Sequence, residues 1–263
     1  MLHTTLGTLR VSMIIPALNE ARNLPYVLPR IPQWVAEVIL VDGHSTDDTV
    51  EVARQLWPTI TVVMQEGRGK GAALRCGFAA ATGEIIVTFD ADGSADAEEV
   101  PRFIAALVAG ADFAKGSRFM HGGGSADITP IRRLGNWGLT TLVNRLYGVR
   151  FTDLCYGLNA FWARCLPYMH VDCYGFEVET QINCRIAKAP LLVYEVPSHE
   201  GKRIYGASNL HALRDGWRVL RTILRERRRA QRPAPRAQVV CWTEADTLAM
   251  QALEPAIALV AES

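Results

Sequence analysis

The sequence lacks the cysteine patterns, the leader and the long apolar runs that mark zinc-binding, secreted or membrane-spanning proteins. Its 6 cysteines form no Cys-x-x-Cys pair, which favours reduced packing residues over zinc ligands or a disulfide framework. Residues 1–10 contain no apolar core of a signal peptide. No uncharged apolar run reaches about 18 residues, the usual minimum for a membrane-spanning helix. We therefore expect a cytoplasmic protein.

The sequence also lacks an excess of charge of either sign. The 263 residues carry 28 Lys and Arg against 27 Asp and Glu, a formal net charge of +1. This balance argues against a protein that binds nucleic acid over its whole surface. Hydrophobic residues make up 49% of the chain, and the length allows one large α/β domain or two small ones.

Short apolar runs alternate with helical patterns along the first half of the chain. The runs lie at 11–15, 38–41, 60–64 and 85–89, and a further strand is predicted at 111–115. Strands separated by helices of this length are typical of right-handed βαβ crossovers. The pattern predicts an α/β fold with a mostly parallel central sheet flanked by helices.

The apolar run at 85–89 ends in the sequence Asp90-Ala91-Asp92-Gly93. In open α/β sheets, ligands bind beyond the carboxyl ends of the strands, where this pair of aspartates is expected to lie. Two carboxylates this close at neutral pH favour a neighbouring cation, and carboxylate oxygens are ligands that Mg²⁺ prefers. We interpret the pair as a Mg²⁺ or Mn²⁺ site that also holds a diphosphate. The alternative is a solvated turn, because Asp and Gly are common turn residues.

The segment GRGKG at 67–71 does not match the two common phosphate-binding loops. Met64 occupies the first glycine position of a Walker-type loop, and Ala72 stands where the dinucleotide fingerprint needs its third glycine. The segment precedes a helical pattern, so Lys70 and backbone N–H groups could still approach an anion.

Four motifs of the first half share their order and spacing with a known family: PALNE at 16–20, VDGHSTDDT at 41–49, GKGAALRCGFAAATGE at 69–84 and FDADGS at 89–94. They resemble the nucleotide-binding half of family-two glycosyltransferases of the GT-A fold. The second half resembles the branch that contains dolichol-phosphate mannosyltransferases and other polyprenyl-phosphate glycosyltransferases. Its matching motifs are KGSRF at 115–119, RRLGN at 132–136, TDLCYGLNAF at 152–161, GFEVE at 175–179, EVP at 195–197 and RIYGASNL at 203–210.

The resemblance implies a UDP- or GDP-sugar donor and Mg²⁺ or Mn²⁺ as cofactor. Asp92, together with Asp90, would ligate the metal that bridges the diphosphate, and His199 is a further candidate ligand, although a lone histidine is also typical of an ordinary loop. The nucleotide-sugar would contact residues at the strand ends: Pro16, Asn19, Glu20, Asp42, Lys70, Asp90, Ala91 and Asp92.

The resemblance also implies an acceptor site that is rich in arginine. Arg118, Arg132, Arg133 and Arg203 would bind the phosphate of a polyprenyl phosphate, a bidentate task that guanidinium groups suit. The glycine-rich segment 120–129 is predicted to be a mobile lid. Arg132 and Arg133 are equally typical of a solvated helix start.

Three carboxylates are candidates for catalysis: Asp153, Glu177 and Glu179. Either glutamate could act as the general base that an alcohol acceptor needs, whereas a phosphate acceptor is already ionised. Asp153 could position a sugar hydroxyl, and Glu179 could equally be a buried structural carboxylate. Two departures from the branch weigh against a lipid-phosphate acceptor, namely FDADGS in place of the usual DADLQ and Asn209 in place of a lysine.

The C-terminal part of the chain changes character after residue 210. Residues 211–229 predict a basic amphipathic helix, with Leu213, Trp217, Leu220 and Leu224 on one face and arginines among and beyond them. Such a helix suits the anionic inner face of a membrane, and equally an apolar stripe packed on the sheet. The predicted organisation is a catalytic domain at 8–210, divided near residue 118 into a nucleotide-sugar half and an acceptor half, then the helix, and a linker and tail at 230–263.

The sequence therefore predicts a metal-dependent, inverting glycosyltransferase that moves a sugar from a UDP- or GDP-sugar to polyprenyl phosphate. A hydroxyl of a saccharide or small metabolite is the alternative acceptor. A nucleotide-sugar-binding protein without turnover is the alternative outside the enzyme class, and the intact Asp90 and Asp92 argue against it. A nucleotidyltransferase is disfavoured because no glycine-rich phosphate loop follows the run at 11–15. We expect no nucleic-acid partner.

Overall fold

The computed structural model describes residues 9–206, 211–229, 237–241 and 246. Its strands in chain order are β1 (Val11–Ala17), β2 (Glu37–Asp42), β3 (Thr61–Met64), β4 (Ile85–Thr88), β5 (Phe113–Ser117), β6 (Gly124–Ser125), β7 (Asn159–Trp162), β8 (Leu192–Pro197), β9 (His199–Glu200) and β10 (Gln238–Cys241). Its α-helices are α1 (Leu24–Val27), α2 (Thr49–Leu56), α3 (Lys70–Ala80), α4 (Val100–Val108), α5 (Pro130–Tyr147), α6 (Leu166–Met169), α7 (Val178–Ile186) and α8 (Ala212–Arg228).

The central sheet contains eight strands in the order β10-β8-β5-β7-β4-β1-β2-β3. Neighbouring strands are parallel, except that β7 runs antiparallel to both β4 and β5. The predicted α/β fold with a mostly parallel sheet is thereby confirmed. Strands β6 and β9 form a separate two-stranded sheet.

Strand β4 is buried on both faces, as its composition predicts, and each of its residues is inaccessible or nearly so. Ile85 and Val87 belong to one apolar cluster, which includes Phe103 of α4. Ile86 belongs to a second cluster, which includes Phe161 of β7. Because successive side chains of a strand point to opposite faces, these clusters lie on the two sides of the sheet and fix the position of Asp90 at its edge.

Strand β1 extends further than predicted, because it continues through Pro16 to Ala17. The backbone N–H of Phe89 donates to the carbonyl of Ile14 (3.0 Å). The even-numbered residues of β1 therefore direct their backbone N–H and carbonyl groups towards β4. The paired part of β4 ends opposite Ile14, at Thr88. Pro16, which has no N–H to donate, therefore lies beyond the part of β1 that pairs with β4.

The glycine-rich segment 120–129, predicted to be a lid, is attached to β9 in this structure. The N–H of Gly124 donates to the carbonyl of Ser198 (3.1 Å), and the N–H of Ala126 donates to that of Glu200 (2.8 Å). The Ser125 hydroxyl donates to the Glu200 carboxylate at 2.5 Å. The segment thus forms one wall beside the sheet edge.

The predicted C-terminal helix is present as α8, but its packing face differs from the predicted apolar stripe. The buried residues are Asp215, Val219, Thr222, Ile223 and Glu226, about one helical face at 3.6 residues per turn. A carboxylate can face inwards because Glu226 accepts two hydrogen bonds from Arg185, at 2.8 and 2.9 Å. Trp217 and Leu224 of the predicted stripe are exposed instead.

Part of the predicted C-terminal tail joins the fold. Strand β10 pairs in parallel with β8 at the edge of the sheet, so the tail is not entirely separate from the domain. Asn209 and the remaining residues of the predicted linker and tail, at 230–236, 242–245 and 247–263, lie outside the described residues. Among the helices of the described ranges, none has both the length and the apolar character needed to cross a bilayer.

Candidate active site

A cavity of about 1190 Å³ opens beyond the carboxyl ends of β1, β2 and β4. One end is lined by residues that follow these strands, including Glu20, His44 and the segment 90–92. The other end lies between the first half of α5 and the first half of α8. This is the edge at which the sequence predicted a ligand site.

Lys70 lines the cavity and is bound between two carboxylates. Its Nζ lies 2.6 Å from Oδ1 of Asp90 and 2.7 Å from Oε1 of Glu179. Burial lowers the pKa of the Lys70 ammonium, but the charges of Asp90 and Glu179 outweigh burial, so the pKa is raised and the group stays protonated. Burial raises the pKa of Glu179 against the opposing effect of Lys70. Glu179, predicted as a general base, is therefore the partner of a lysine.

Glycines allow this close approach. A Cβ at Gly157 would lie 2.6 Å from Oδ2 of Asp90 and 2.8 Å from Nζ of Lys70. A Cβ at Gly69 would lie 2.3 Å from the carbonyl oxygen of Tyr174, and Gly69 has φ +86°. The start of α3 can thus pack on the segment before α7, which carries Glu179.

Both carboxylate oxygens of Asp92 are bound by neighbouring residues. Oδ1 accepts hydrogen bonds from the backbone N–H and hydroxyl of Ser94, at 2.9 and 2.7 Å. Oδ2 lies 3.0 Å from the guanidinium of Arg203, whose other nitrogen lies 2.9 Å from Glu20. Arg203, predicted to bind the acceptor, thus lies beside Asp92, at the end of the cavity that is lined by the residues after β1, β2 and β4.

The carboxylates of Asp90 and Asp92 fit a divalent cation as a partial set of ligands. Both residues line the cavity. Within the described residues, no group of three or more His, Cys, Asp or Glu side chains is arranged to hold a metal ion. Magnesium sites at nucleotides commonly use one or two carboxylates and take the remaining oxygens from substrate phosphates and water. The donor set therefore fits Mg²⁺ or Mn²⁺ if a diphosphate completes it.

Asp42 ends β2 with one carboxylate oxygen unpartnered within the described residues, but the residue is 2% exposed and is not among those that line the cavity. Its Oδ2 accepts the N–H of Ser45 at 3.0 Å, whereas its buried Oδ1 has no hydrogen-bond partner in the part of the chain that the structure describes. Buried polar atoms are normally paired. The neighbouring Asn19, at φ 57°, accepts the N–H of Thr46 at 2.8 Å and so shapes this turn rather than lining the cavity.

Arg118 lines the cavity and is engaged in a buried ion network. Its Nε and one terminal nitrogen contact the two oxygens of Asp153, at 2.7 and 3.0 Å. Its other terminal nitrogen lies 3.1 Å from Oε2 of Glu200. Burial raises the pKa of Asp153, but the Arg118 charge outweighs burial and the pKa lies below its ordinary value. Asp153 is 0% exposed, so the structure does not support its predicted contact with a sugar.

Three further predicted residues do not line the cavity. His199 has its ring against Gly124, where a Cβ would meet the ring at 2.8 Å, because alternation along β9 turns Glu200 inwards instead. Glu177 lies beside Gly175, whose N–H donates to it at 3.3 Å. Arg133 is exposed, with its guanidinium 5.7 Å from the centre of the Phe119 ring.

The end of the cavity between α5 and α8 combines cations, an amide and apolar side chains. Arg132 lies 3.1 Å from Asp127. Asn136 is buried and lines the cavity, and its Nδ2 has no hydrogen-bond partner among the described residues. The apolar and basic residues that complete this end are Ile128, Ile131, Leu139 and Val219, with Arg214 and Arg218.

Several lining residues were not singled out from the sequence. The Nε2 of His44 donates to the Gln65 carbonyl at 3.0 Å. His44 has a left-handed φ of 65°, and the Gly43-His44 dipeptide gives no chemical signal by itself. Glu200 could have been found as the neighbour of His199. Arg214 and Arg218 were assigned to a surface helix, and only tertiary packing brings them to the cavity.

Comparison with known proteins agrees with this geometry. Residues 12–165 match the family described as glycosyl transferase family 2. An undecaprenyl-phosphate mannosyltransferase of Micrococcus luteus is 31% identical over 216 residues, which cover 77% of this chain and 88% of that protein. An uncharacterised glycosyltransferase of Mycobacterium tuberculosis is 42% identical over 108 residues, which cover 41% of this chain; the match spans only about half, 48%, of that relative.

A solved structure shares the fold. Glucosyl-3-phosphoglycerate synthase from Mycobacterium tuberculosis, crystallised with Mn²⁺, UDP and phosphoglyceric acid, superposes with a TM-score of 0.69 at 22% identity, covering 88% of this chain and 82% of that chain. The predicted GT-A fold is therefore confirmed.

Proposed function

The chain belongs to glycosyl transferase family 2, and on that premise we propose that it transfers a sugar from a UDP- or GDP-sugar to a polyprenyl phosphate. The observation that carries the proposal is a cavity that joins two chemically different ends. One end presents Asp90, Asp92 and Lys70, which suit a metal-bound diphosphate. The other presents arginines among apolar side chains, which suit a phosphate on an apolar chain.

At the donor end, each polar group has a role in binding a nucleotide diphosphate. Asp90 and Asp92 would hold the metal, which when bound neutralises negative charge as it develops on the departing diphosphate. Lys70 and Arg203 add fixed positive charge beside the same carboxylates. The synthase that shares this fold was crystallised with Mn²⁺ and UDP, which supports this type of donor.

None of the three predicted catalytic carboxylates is a free base that lines the cavity, which favours an ionised nucleophile. Glu179 contacts Lys70 and Asp153 contacts Arg118, whereas Glu177 has one oxygen that is unpartnered among the described residues but does not line the cavity. A hydroxyl acceptor must lose its proton to a base as it attacks, whereas a phosphate monoester is already an anion at neutral pH. Direct attack of that oxygen on the sugar carbon breaks the sugar–diphosphate bond and inverts the configuration at that carbon.

The residues proposed to contact the acceptor differ from those predicted from the sequence. Arg132 is retained, and Arg118 lines the cavity with its guanidinium bound to Asp153 and Glu200. Asn136 adds an unpartnered N–H₂ donor on the same helix, and Arg218 adds a further cation. The names of relatives such as the undecaprenyl-phosphate mannosyltransferase support this acceptor class, and with it an association with the cytoplasmic face of a membrane.

The test is a transfer assay with the full chain. UDP- and GDP-sugars labelled in the sugar are incubated with undecaprenyl phosphate and Mn²⁺ or Mg²⁺, and label is measured in the organic phase. We expect label with undecaprenyl phosphate and none with undecaprenol, which has the same chain without the phosphate. Equal transfer to both lipids would contradict a phosphate nucleophile.

Variants of α5 test the acceptor end separately. We expect Arg132→Gln and Asn136→Leu to raise the KM for undecaprenyl phosphate while leaving nucleotide binding unchanged. Arg145→Gln, an exposed arginine on the same helix that does not line the cavity, is the matched control. An unchanged KM in both test variants would remove these residues from the acceptor site.

A further inference from the structure

The segment that follows β9, residues 201–206, packs on the turn that carries Asp92. The N–H of Ile204 donates to the carbonyl of Asp92 at 3.3 Å. Gly93 has φ +75°, and a Cβ there would lie 2.6 Å from Cδ1 of Ile204. The 201–206 segment therefore lies directly against the proposed metal-binding turn, and Arg203 is its residue next to Asp92.

The backbone of this segment is held in place by contacts that do not involve the Arg203 side chain. The N–H of Tyr205 donates to Oδ1 of Asn23 at 2.9 Å, and Nδ2 of Asn23 donates to the carbonyl of Tyr205 at 3.2 Å. The centre of the Tyr205 ring lies 5.8 Å from that of Tyr26 and 4.2 Å from the Arg22 guanidinium. The Arg203 side chain can therefore change its partner while the main chain stays where it is.

Arg203 occupies Asp92 in a way that a divalent cation cannot share. The hydrogen bonds from Ser94 to Oδ1 of Asp92 come from neutral groups and are compatible with a metal on the same carboxylate. The guanidinium nitrogen 3.0 Å from Oδ2 belongs to a cation. A metal ion bound to that oxygen at about 2.1 Å would lie no more than about 5 Å from this nitrogen, because the two distances set that limit, and the two positive charges would repel each other.

The Arg203 guanidinium has a second anchor beside the site. Its other terminal nitrogen lies 2.9 Å from Oε1 of Glu20, and both residues line the cavity. The guanidinium can thus leave Asp92 and remain close by. Phosphate oxygens of a bound nucleotide would give it a new anionic partner, since guanidinium groups bind phosphate well.

We propose that Arg203 couples metal binding to donor binding by exchanging partners. Without a nucleotide, its guanidinium holds Asp92 and competes with a divalent cation. With a nucleotide diphosphate, the guanidinium contacts the phosphates and Asp92 becomes available to the metal. Metal and nucleotide therefore each raise the affinity for the other, by the same factor. This inference rests on the proposed donor site, and binding measurements without turnover distinguish the failure of one from the failure of the other.

The test is Mn²⁺ binding to the full chain, measured by electron paramagnetic resonance with and without UDP or GDP, after subtraction of the Mn²⁺ that free nucleotide binds. For the wild type we expect one of the two nucleotides to raise the Mn²⁺ affinity about tenfold. Arg203→Gln should bind Mn²⁺ alone about tenfold more tightly than the wild type, because its competitor is gone, and the nucleotide should add little. Arg203→Lys keeps a cation and should lie between the two.

Arg30→Gln is the matched control. Arg30 pairs with Asp96 at 2.9 Å and does not line the cavity, so this variant removes the same charge and should bind Mn²⁺ as the wild type does. Melting temperatures in EDTA check that each variant is folded.

Two results would overturn the proposal. Equal Mn²⁺ affinity of the wild type and Arg203→Gln without nucleotide, or weaker binding by Arg203→Gln, would refute the competition and leave the donor site standing. A wild type that binds neither Mn²⁺ nor nucleotide would refute the donor site as well.

Discussion

Replacement of Asp153 by Asn separates a structural role from a catalytic one. The carboxylate is 0% exposed and holds two nitrogens of Arg118, at 2.7 and 3.0 Å. Asn keeps the size of the side chain but removes its charge. The Arg118 guanidinium, itself 5% exposed, would then remain buried with only Glu200 to neutralise it.

The expected cost follows from the burial of the pair. Removal of one partner of a buried ion pair commonly costs about 3–5 kcal/mol, because a buried charge is left uncompensated. Glu200 still contacts Arg118 at 3.1 Å, so we expect the lower end, about 3 kcal/mol. At roughly 2–4 °C per kcal/mol for a domain of this size, the melting temperature should fall by about 6–12 °C.

The assay is urea unfolding followed by circular dichroism, together with nucleotide binding. Glu98→Gln is the control, because Glu98 also contacts an arginine, Arg30 at 3.3 Å, but with a side chain 75% exposed; it should lose no more than about 1 kcal/mol. A stable Asp153→Asn protein that had lost sugar transfer would refute this reasoning and restore the predicted catalytic role of Asp153.

Three other changes have expected outcomes. Gly157→Ala should weaken nucleotide-sugar binding about tenfold or more, because its Cβ would lie 2.6 Å from Asp90; calorimetric titration measures this, and Gly138→Ala, which has no atom within 4 Å, is the control. Lys70→Met leaves the Asp90 and Glu179 carboxylates without their cation, so the pKa of Glu179 should rise further above its unfolded value. In urea titrations the variant should therefore lose stability as pH rises from 5 to 8. A stability that does not change with pH would contradict the interaction of Lys70 with the two carboxylates. The pKa of Asp172 is lowered to about 2, since its hydrogen bonds to Arg229, Gln181 and Arg185 outweigh burial; its contribution, up to about 2 kcal/mol, should be complete above pH 4 and lost as pH falls towards 2, and Asp172→Asn should flatten that limb.

The placement of Asp90, Asp92 and Lys70 along one cavity could be predicted because its signals are local. An apolar strand followed by Asp90 and Asp92 fixes both the element and the edge at which the carboxylates emerge. Lys70 follows a glycine-rich turn at the start of a helix, and that helix packs on the same sheet. Neither prediction needs information about residues distant in the sequence.

The interaction partners of the predicted side chains could not be predicted from local sequence. Arg118 contacts Asp153, 35 residues away, and Glu200, 82 residues away. Asp153 lies in the loop before β7 and Glu200 in the short strand β9, and the positions of both depend on tertiary packing. For the same reason Asp153 looks like a substrate ligand in the motif and is a buried ion-pair partner in the fold. The inward face of α8 could not be predicted for the same reason. Glu226 is buried because it pairs with Arg185, so the face opposite to the predicted apolar stripe packs against the domain.

The central claim is that Asp90 and Asp92 hold a metal-bound nucleotide diphosphate. The most direct measurement is the melting temperature of the wild type and of Asp92→Asn with UDP- and GDP-sugars, in Mn²⁺, Mg²⁺ or EDTA. A donor at 100 times its Kd should stabilise the wild type by about 2.7 kcal/mol, roughly 5–10 °C, for one of the two bases. The account predicts that EDTA and Asp92→Asn each abolish this shift and that Asp48→Asn, at an exposed turn without a side-chain cap bond, retains it. An equal shift in EDTA, or an equal shift in Asp92→Asn, would contradict it.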